Sequence, residues 1–202
     1  MAVAVALLAA GVGLSGWIGW EYVGTNVTAQ HRQQETKSTL QQEWRAGQSS
    51  VDPGRGFALL RVPRFGKDYE VPIIRGIDDK SLASGAGWFP HSQRPGEPGN
   101  FAIAAHRVTH GQPFRDFPRL RKGDKVSVET RDEVLIYTLD DSGTDHHVPF
   151  TESWIVDPVP GRPGAVPTRA LITLTTCAEL FRTDDRSYVF GHLTERRRKP
   201  AR

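Results

Sequence analysis

Leu171-Ile172-Thr173-Leu174-Thr175-Thr176-Cys177 is the run on which the reading of this chain turns. Its β-branched and apolar residues favour an extended strand. It stops at the charged segment 179–186, which reads as a loop. Cys177 is the only cysteine in the chain. A thiol at a strand end, close in sequence to the guanidinium groups of Arg182 and Arg186, is a candidate nucleophile when histidines stand elsewhere in the chain.

Similar short apolar runs recur on the N-terminal side, at 57–62, 69–74, 100–105, 125–130, 134–140 and 148–156, and a last one follows at 187–193. Turn signals separate them: Pro63 and Gly66, Gly76 and Asp78, Pro95-Gly96-Glu97-Pro98-Gly99, Arg131-Asp132-Glu133, and the Pro- and Gly-rich loop 157–164. Residues 79–84 and 114–120 read as short helical turns. Many short strands punctuated in this way predict a sheet closed into a barrel or packed as a sandwich. The 20 glycines and 14 prolines among 202 residues agree with that class. The βαβ rhythm, the GxGxxG fingerprint and the Walker A motif are all missing, which argues against a nucleotide-binding domain.

Two segments of different character precede the array. Residues 1–20 carry no charged side chain, and about twenty residues at ~1.5 Å each reach across a ~30 Å hydrocarbon layer. A transmembrane anchor is therefore expected over 1–23, with Trp17, Trp20 and Tyr22 at one lipid–water boundary. A cleaved signal peptide is the alternative, weakened by the missing basic n-region and the lack of a small-x-small site before Glu21. An ordinary buried helix is the third reading. Residues 24–53 are polar, with Gln30, Gln33, Gln34, Gln41 and Gln42, and read as a helical or disordered stalk. The compact domain is expected over 54–195 and a solvated basic tail over 196–202. The net charge of +3 sits partly in that tail, at Arg196-Arg197-Arg198-Lys199, and no stretch interleaves basic and aromatic residues as a nucleic-acid groove does. No nucleic-acid partner is expected.

His106 follows the apolar run 101–105 and so leaves a strand, as Cys177 does. Barrel rims are where a rigid scaffold presents reactive groups to a loop-lined groove. Three readings fit these residue types. One is a Cys–His–Arg site: imidazole moves protons, the thiolate attacks an acyl carbon, and Arg186 or Arg182 steadies the oxyanion. Another is an inert cysteine with His106 in local hydrogen bonding, and the third is a Cys–His metal site. His106-x-x-x-His110 lacks the glutamate of HExxH, and Asp140, Asp141 and Asp145 miss the EF-hand spacing. Neither a metal nor a cofactor is expected.

Taken together, these segments have a family likeness. TLTTC (173–177) resembles the cysteine signature of the sortases. AAHRVTHGQPF (104–114) is similar to that family's catalytic-histidine segment, and DDRSYVFGHL (184–193) to its final strand with the essential arginine. The order His, Cys, Arg matches, and the resemblance covers roughly 54–193. It implies an all-β fold, a closed eight-stranded β-barrel with short helices, held outside the cell by a single-pass transmembrane helix. Such enzymes cleave a C-terminal sorting signal between threonine and glycine, hold the threonyl group as a thioester and pass it to a cell-wall or pilin amine. Cys177 would be the nucleophile, His106 the proton donor and acceptor, and Arg186 the oxyanion and substrate-orienting group, with Arg182 as its alternate. Thr176, Arg107 and His110 would lie on the substrate side.

The short interval from Cys177 to Arg186, the histidine segment and the Pro-rich Trp154–Pro160 stretch resemble class E of actinobacteria in particular, a class that typically recognises LAxTG-type signals. Relatives often carry tyrosine where this chain has His110, an aromatic linked to choosing alanine in the signal. The Ala178-Glu179-Leu180 that follows the cysteine departs from the His–Pro or similar dipeptide common in that class. The expected partners are sorting-signal peptides, an amine acceptor from the cell wall, and the lipid membrane. An L,D-transpeptidase-like enzyme, a hydrolytic cysteine peptidase and a non-enzymatic membrane-anchored peptide binder are the competing functions.

Overall fold

Strand β6 (Glu133–Leu139) shows the alternation that shapes the fold: Leu135, Tyr137 and Leu139 are buried, and the residues between them are partly exposed. The computed structural model describes residues 2–20, 24–49, 51–177 and 185–200, with 6, 17–19 and 177 given by their backbone alone. Around β6 stand β1 (Gly56–Arg61), β2 (Glu70–Arg75), β3 (Ala86–Trp88), β4 (Gly99–Ala104), β5 (Lys125–Glu129), β7 (His147–Pro149), β8 (Ala170–Cys177) and β9 (Asp185–Arg198). The hydrogen-bonded order is β6-β5-β1-β2-β3-β4-β8-β9, and β9 returns to β6. Eight strands thus close into a barrel, which removes the unpaired edges an open sheet would leave. The ninth, β7, pairs with the first residues of β9 outside the ring. The β2–β3 and β4–β8 pairs are parallel. Leu60, Ile73, Phe101, Ile103, Leu174 and Val189 fill the interior, with Phe114, Phe117 and Leu120 from the 114–120 turn packed among them. Each such side chain contributes about 1.5–3 kcal/mol by leaving water.

The eight-stranded closure agrees with the expected barrel, and the short helix α3 (Asp79–Ser84) falls where the sequence predicts it. Several elements differ. Residues 148–156 are not one strand: β7 stops at Pro149, and a 3-10 turn forms at Trp154–Val156. A proline has no N–H to continue a ladder. β3 was not anticipated, because it is three residues long and half of its packing needs a small side chain. A Cβ on Gly87 would lie 2.3 Å from the carbonyl of Gly76. The basic run is no loose tail either, because β9 continues to Arg198. Leu135 faces Arg196, Val134 faces Arg197 and Glu133 faces Arg198 across the β6–β9 seam. Glu133 pairs with Arg196, and Glu195 with Arg197.

The largest difference concerns the expected stalk. Residues Thr25–Arg45 form helix α2, which packs on α3, β1 and β2. Ala29 and Leu40 are 1% and 2% exposed, and at 3.6 residues per turn they share one face. Lys37 pairs with Glu70 at 2.7 Å, and Arg61 links Glu70 to Glu129. Gly56 gives the helix room, since a Cβ there would sit 2.9 Å from the Thr36 methyl.

Helix α1 (Ala2–Gly19) is 18 residues long, about 27 Å at ~1.5 Å per residue. Its described apolar side chains, including Val3, Leu7, Leu8 and Val12, are exposed. The transmembrane anchor expected over 1–23 is thus not borne out: among the described residues no helix is long and apolar enough to cross a membrane, and 1 and 21–23 lie outside them.

The docking of α2 predicts that Leu40→Ala lowers domain stability by about 2–3 kcal/mol, the ordinary cost of emptying a buried leucine site. Urea denaturation checks this. A change near zero would mean that the helix stands away from the barrel.

Candidate active site

β4 and β8 run parallel, in register from Gly99↔Ala170 to Ala104↔Thr175. The ladder continues past the end of β4, where the N–H of Ala105 donates to the Thr175 carbonyl at 3.2 Å. The Thr176 hydroxyl donates to the Ala105 carbonyl at 2.7 Å. One step further, the same register sets His106 beside Cys177. On the other flank β8 and β9 are antiparallel, and Cys177 pairs with Arg186. Adjacent strands lie ~4.8 Å apart, so the three backbones stand shoulder to shoulder at one rim.

His106 is strongly perturbed. Burial lowers its pKa to about 4, the nearby His110 adds to that effect, and Asp79 at the start of α3 opposes it. The imidazole is therefore neutral near pH 7 and is a proton acceptor at rest. Its Nε2 is buried and has no hydrogen-bond partner among the described residues. The His110 ring stacks on His106 with centroids 4.5 Å apart and planes 24° apart. The intervening loop folds back on itself, with Phe114 N–H donating to the His106 carbonyl at 2.9 Å and the Tyr69 hydroxyl to the Pro113 carbonyl at 2.6 Å.

Arg186 is half-buried, and its guanidinium lies 5.5 Å from the centre of the Phe150 ring. Next to it Val148, Ile155 and Tyr188 form a second apolar cluster with Trp154 and Phe190. This cluster seats the Trp154–Val156 turn against the outside of β8 and β9. Asn100 and Thr173 hold the turn from below. The Asn100 amide donates to the Ile155 carbonyl at 3.0 Å, and the Thr173 hydroxyl lies 2.8 Å from Asn100 Oδ1 and 3.0 Å from the same carbonyl. Both residues are fully buried, so each bond is made where water cannot replace it. The wall beside Arg186 is thus fixed by packing and by hydrogen bonds.

The structure gathers His106, Cys177 and Arg186, with His110 on the first of them. Thr176 differs from its expected place on the substrate side: it is 4% exposed, and its hydroxyl is spent on Ala105, so it aligns β8 with the exit of β4. Arg107 is part-buried on the His106 loop. Arg182 lies outside the described residues. Two histidines belong elsewhere: His192 pairs with Asp140 at 2.8 Å, and His146 pairs with Asp141 at 3.2 Å while stacking on Tyr188. Phe150, Asn100 and the wall turn were missed in the sequence. The one signal was Asn100, a polar residue opening an apolar run. A cysteine whose backbone stands between a histidine and an arginine on neighbouring strand ends is the arrangement that acyl transfer through a covalent thioester calls for.

The sortase-domain family profile matches residues 60–194. Over 187 residues the chain is 36% identical to Sortase SrtE1 of Streptomyces coelicolor, covering 86% of this chain and 51% of that protein, so it spans about half of that relative's length. It is 27% identical over 205 residues to Sortase SrtE2 of the same organism, covering 93% of this chain and 79% of the relative. Sortase E from Streptomyces avermitilis superposes with a TM-score of 0.65 at 33% identity, over 73% of this chain and 93% of that one. Sortase E1 from Streptomyces coelicolor, solved with a tripeptide in its active site, gives 0.60 at 34% identity, over 74% and 94%.

The depressed pKa of His106 predicts an imidazole that titrates near pH 4, well below the ~6.5 of a free histidine side chain, in an NMR titration of the folded protein. The sign for stability follows by linkage. The unfolded chain takes up this proton first, so the contribution of neutral His106 is whole above about pH 6.5 and is lost as pH falls toward 4. Replacing His106 with Gln should flatten part of the fall in urea midpoint between pH 7 and pH 4.5.

Proposed function

Because this chain belongs to the sortase family, we propose that it is a membrane-anchored cysteine transpeptidase that cleaves an LAxTG-like sorting signal between threonine and glycine and passes the threonyl group to a cell-wall or pilin amine. The observation that carries the reading is the meeting of His106, Cys177 and Arg186 on neighbouring strand ends. In the first half-reaction the thiol proton of Cys177 moves to neutral His106, and the sulfur attacks the threonine carbonyl carbon. A C–S bond forms, the oxyanion accepts a hydrogen bond from Arg186, and the Thr–Gly C–N bond breaks as His106 protonates the departing glycine nitrogen. In the second, His106 takes a proton from the incoming amine, the new C–N bond forms, and the sulfur leaves as thiolate and recovers its proton.

Membrane attachment is part of the same proposal. The uncharged residues 1–20 and the exposed apolar side chains of α1 favour lipid over water and support attachment by the N-terminus, while the extracytoplasmic side rests on the family likeness. The preference for alanine at the second signal position rests on the class E likeness. His110, stacked on His106, stands where relatives carry the aromatic linked to that choice.

The test incubates the full chain in detergent with a peptide ending in LAxTG plus polar residues, together with a glycine-based amine, and records intact masses of protein and peptide. A threonyl adduct on Cys177, cleavage after threonine and an amine-exchanged peptide are expected, and Cys177→Ala should yield none of them. Arg186→Lys should lower kcat/KM by about 100-fold, the worth of one well-aimed oxyanion donor (~3 kcal/mol). Failure of the folded wild type to form an adduct with both LAxTG and LPxTG peptides would overturn the assignment.

A further inference from the structure

The loop between His106 and Phe114 holds three consecutive residues with left-handed backbone: His110 (φ 54°), Gly111 (φ 83°) and Gln112 (φ 52°). Glycine adopts this readily, but histidine and glutamine are strained there by about 1–2 kcal/mol each. Such a conformation persists only where its surroundings over-determine it. Part of the restraint is internal, since Gln112 bonds back to Thr109 and Val108. The rest comes from outside the barrel. The Gly111 N–H donates to Asn26 Oδ1 at 2.8 Å, and the His110 carbonyl accepts from Gln33 Nε2 at 3.1 Å. Both partners belong to α2, seven residues or two turns apart, and so lie on one face. Ala29 lies between them, 1% exposed, and its small side chain lets the helix come close to the loop. Gly111 has no Cβ where one would meet the Gln33 amide. Helix and loop therefore fit at backbone level. The His110 ring, tied at Nδ1 to the Thr109 hydroxyl (3.0 Å), is left stacked on His106.

We propose that α2 is part of the active site: Asn26 and Gln33 clamp the His110–Gly111 backbone in its left-handed form and thereby hold the His110 ring against His106, setting the position of the imidazole that moves protons for Cys177. Asn26 and Gln33 are positioning residues, since they act through the loop. The effect on turnover rests on the transpeptidase reading. The effect on the two rings does not.

The clamp makes a chemically signed prediction, because Asn26 accepts a hydrogen bond and Gln33 donates one. Gln33→Glu keeps the shape, removes the donor and sets a carboxylate against a carbonyl. Asn26→Ala removes the acceptor, and Asn26→Asp restores it. In the full chain in detergent, labelled at histidine, Gln33→Glu and Asn26→Ala should shift the His110 and His106 ring resonances away from their stacked positions. They should also lower kcat for peptide transfer by about 10- to 100-fold, the scale of a small misplacement of reacting groups, with KM changed less than about twofold. Asn26→Asp should recover both the ring signals and the rate. If Gln33→Glu unwinds α2, Gln33→Met, of equal length and without a donor, takes its place. Ring signals unmoved in Asn26→Ala and in the Gln33 variant would overturn the proposal. So would an Asn26→Asp protein as impaired as Asn26→Ala. If the ring signals respond as expected while the wild type forms no thioester with any sorting peptide, the clamp stands and the transpeptidase reading fails.

Discussion

Parallel strands in register carry their ends to the same level, and β4 and β8 do so from Gly99↔Ala170 up to the Thr176–Ala105 hydrogen bond. Everything chemical at the rim follows from that alignment. Each residue of slippage would move His106 ~3.3 Å along Cys177, beyond the reach of a proton transfer. The register is set well below the rim by buried pairs. Phe101 and Ile172, and Ile103 and Leu174, lie level inside the barrel, while Asn100 and Thr173, diagonal neighbours on its outside, are tied by a hydrogen bond. Inverting the face of either strand would bury polar groups without partners and expose the apolar set. The core thus sets the geometry of the rim, and the Thr176 hydroxyl passes that geometry across the last step.

The electrostatics of the rim work against the cation of His106 and in favour of its neutral form. Burial and His110 push the same way, and Asp79 alone among the named influences pushes back. Desolvation makes the neutral imidazole a weak base toward the thiol and makes its cation, once formed, a strong acid toward a leaving amine. Arg186 answers a different need. Its charge is permanent, and it is steadied by Phe150 and by β7, as the oxyanion donor of the proposed reaction would need to be. The proton carrier is tuned by desolvation and the oxyanion donor by packing, so the two tasks can vary independently.

Much of this was legible in the sequence, and the parts that were not share a cause. The strand runs around Phe101, Val128, Leu135 and Leu174 announced themselves as short apolar runs between turn signals, and Cys177, His106 and Arg186 by their places at strand ends. β3 was hidden because Ala86 and Gly87 have almost no side chain with which to signal a strand. The Trp154–Val156 wall was hidden because its anchors, Asn100 and Thr173, act from distant strands. α2 was read as a stalk because its docking face, Ala29-Gln33-Thr36-Lys37-Leu40, has one large apolar residue. That face is held by complementarity, with an ion pair to Glu70, a notch at Gly56 and two amide contacts to the histidine loop. Hydrophobic periodicity finds faces that bury oil and is blind to faces that match polar partners.

That blindness has a physical consequence for how the molecule is built. A helix held by few apolar contacts and several specific polar ones depends on those polar partners more than the barrel core does. α2 connects in sequence to the apolar helix α1 on one side, and on the other it supports the loop that stacks His110 on His106. The barrel fixes Cys177 and Arg186 through its own ladder, independently of α2. Of the three catalytic candidates, His106 alone is exposed to whatever happens at the N-terminal helix. If the proposed clamp holds, a change in the packing of α2 acts first on His110 and His106, while the β8–β9 ladder keeps Cys177 beside Arg186.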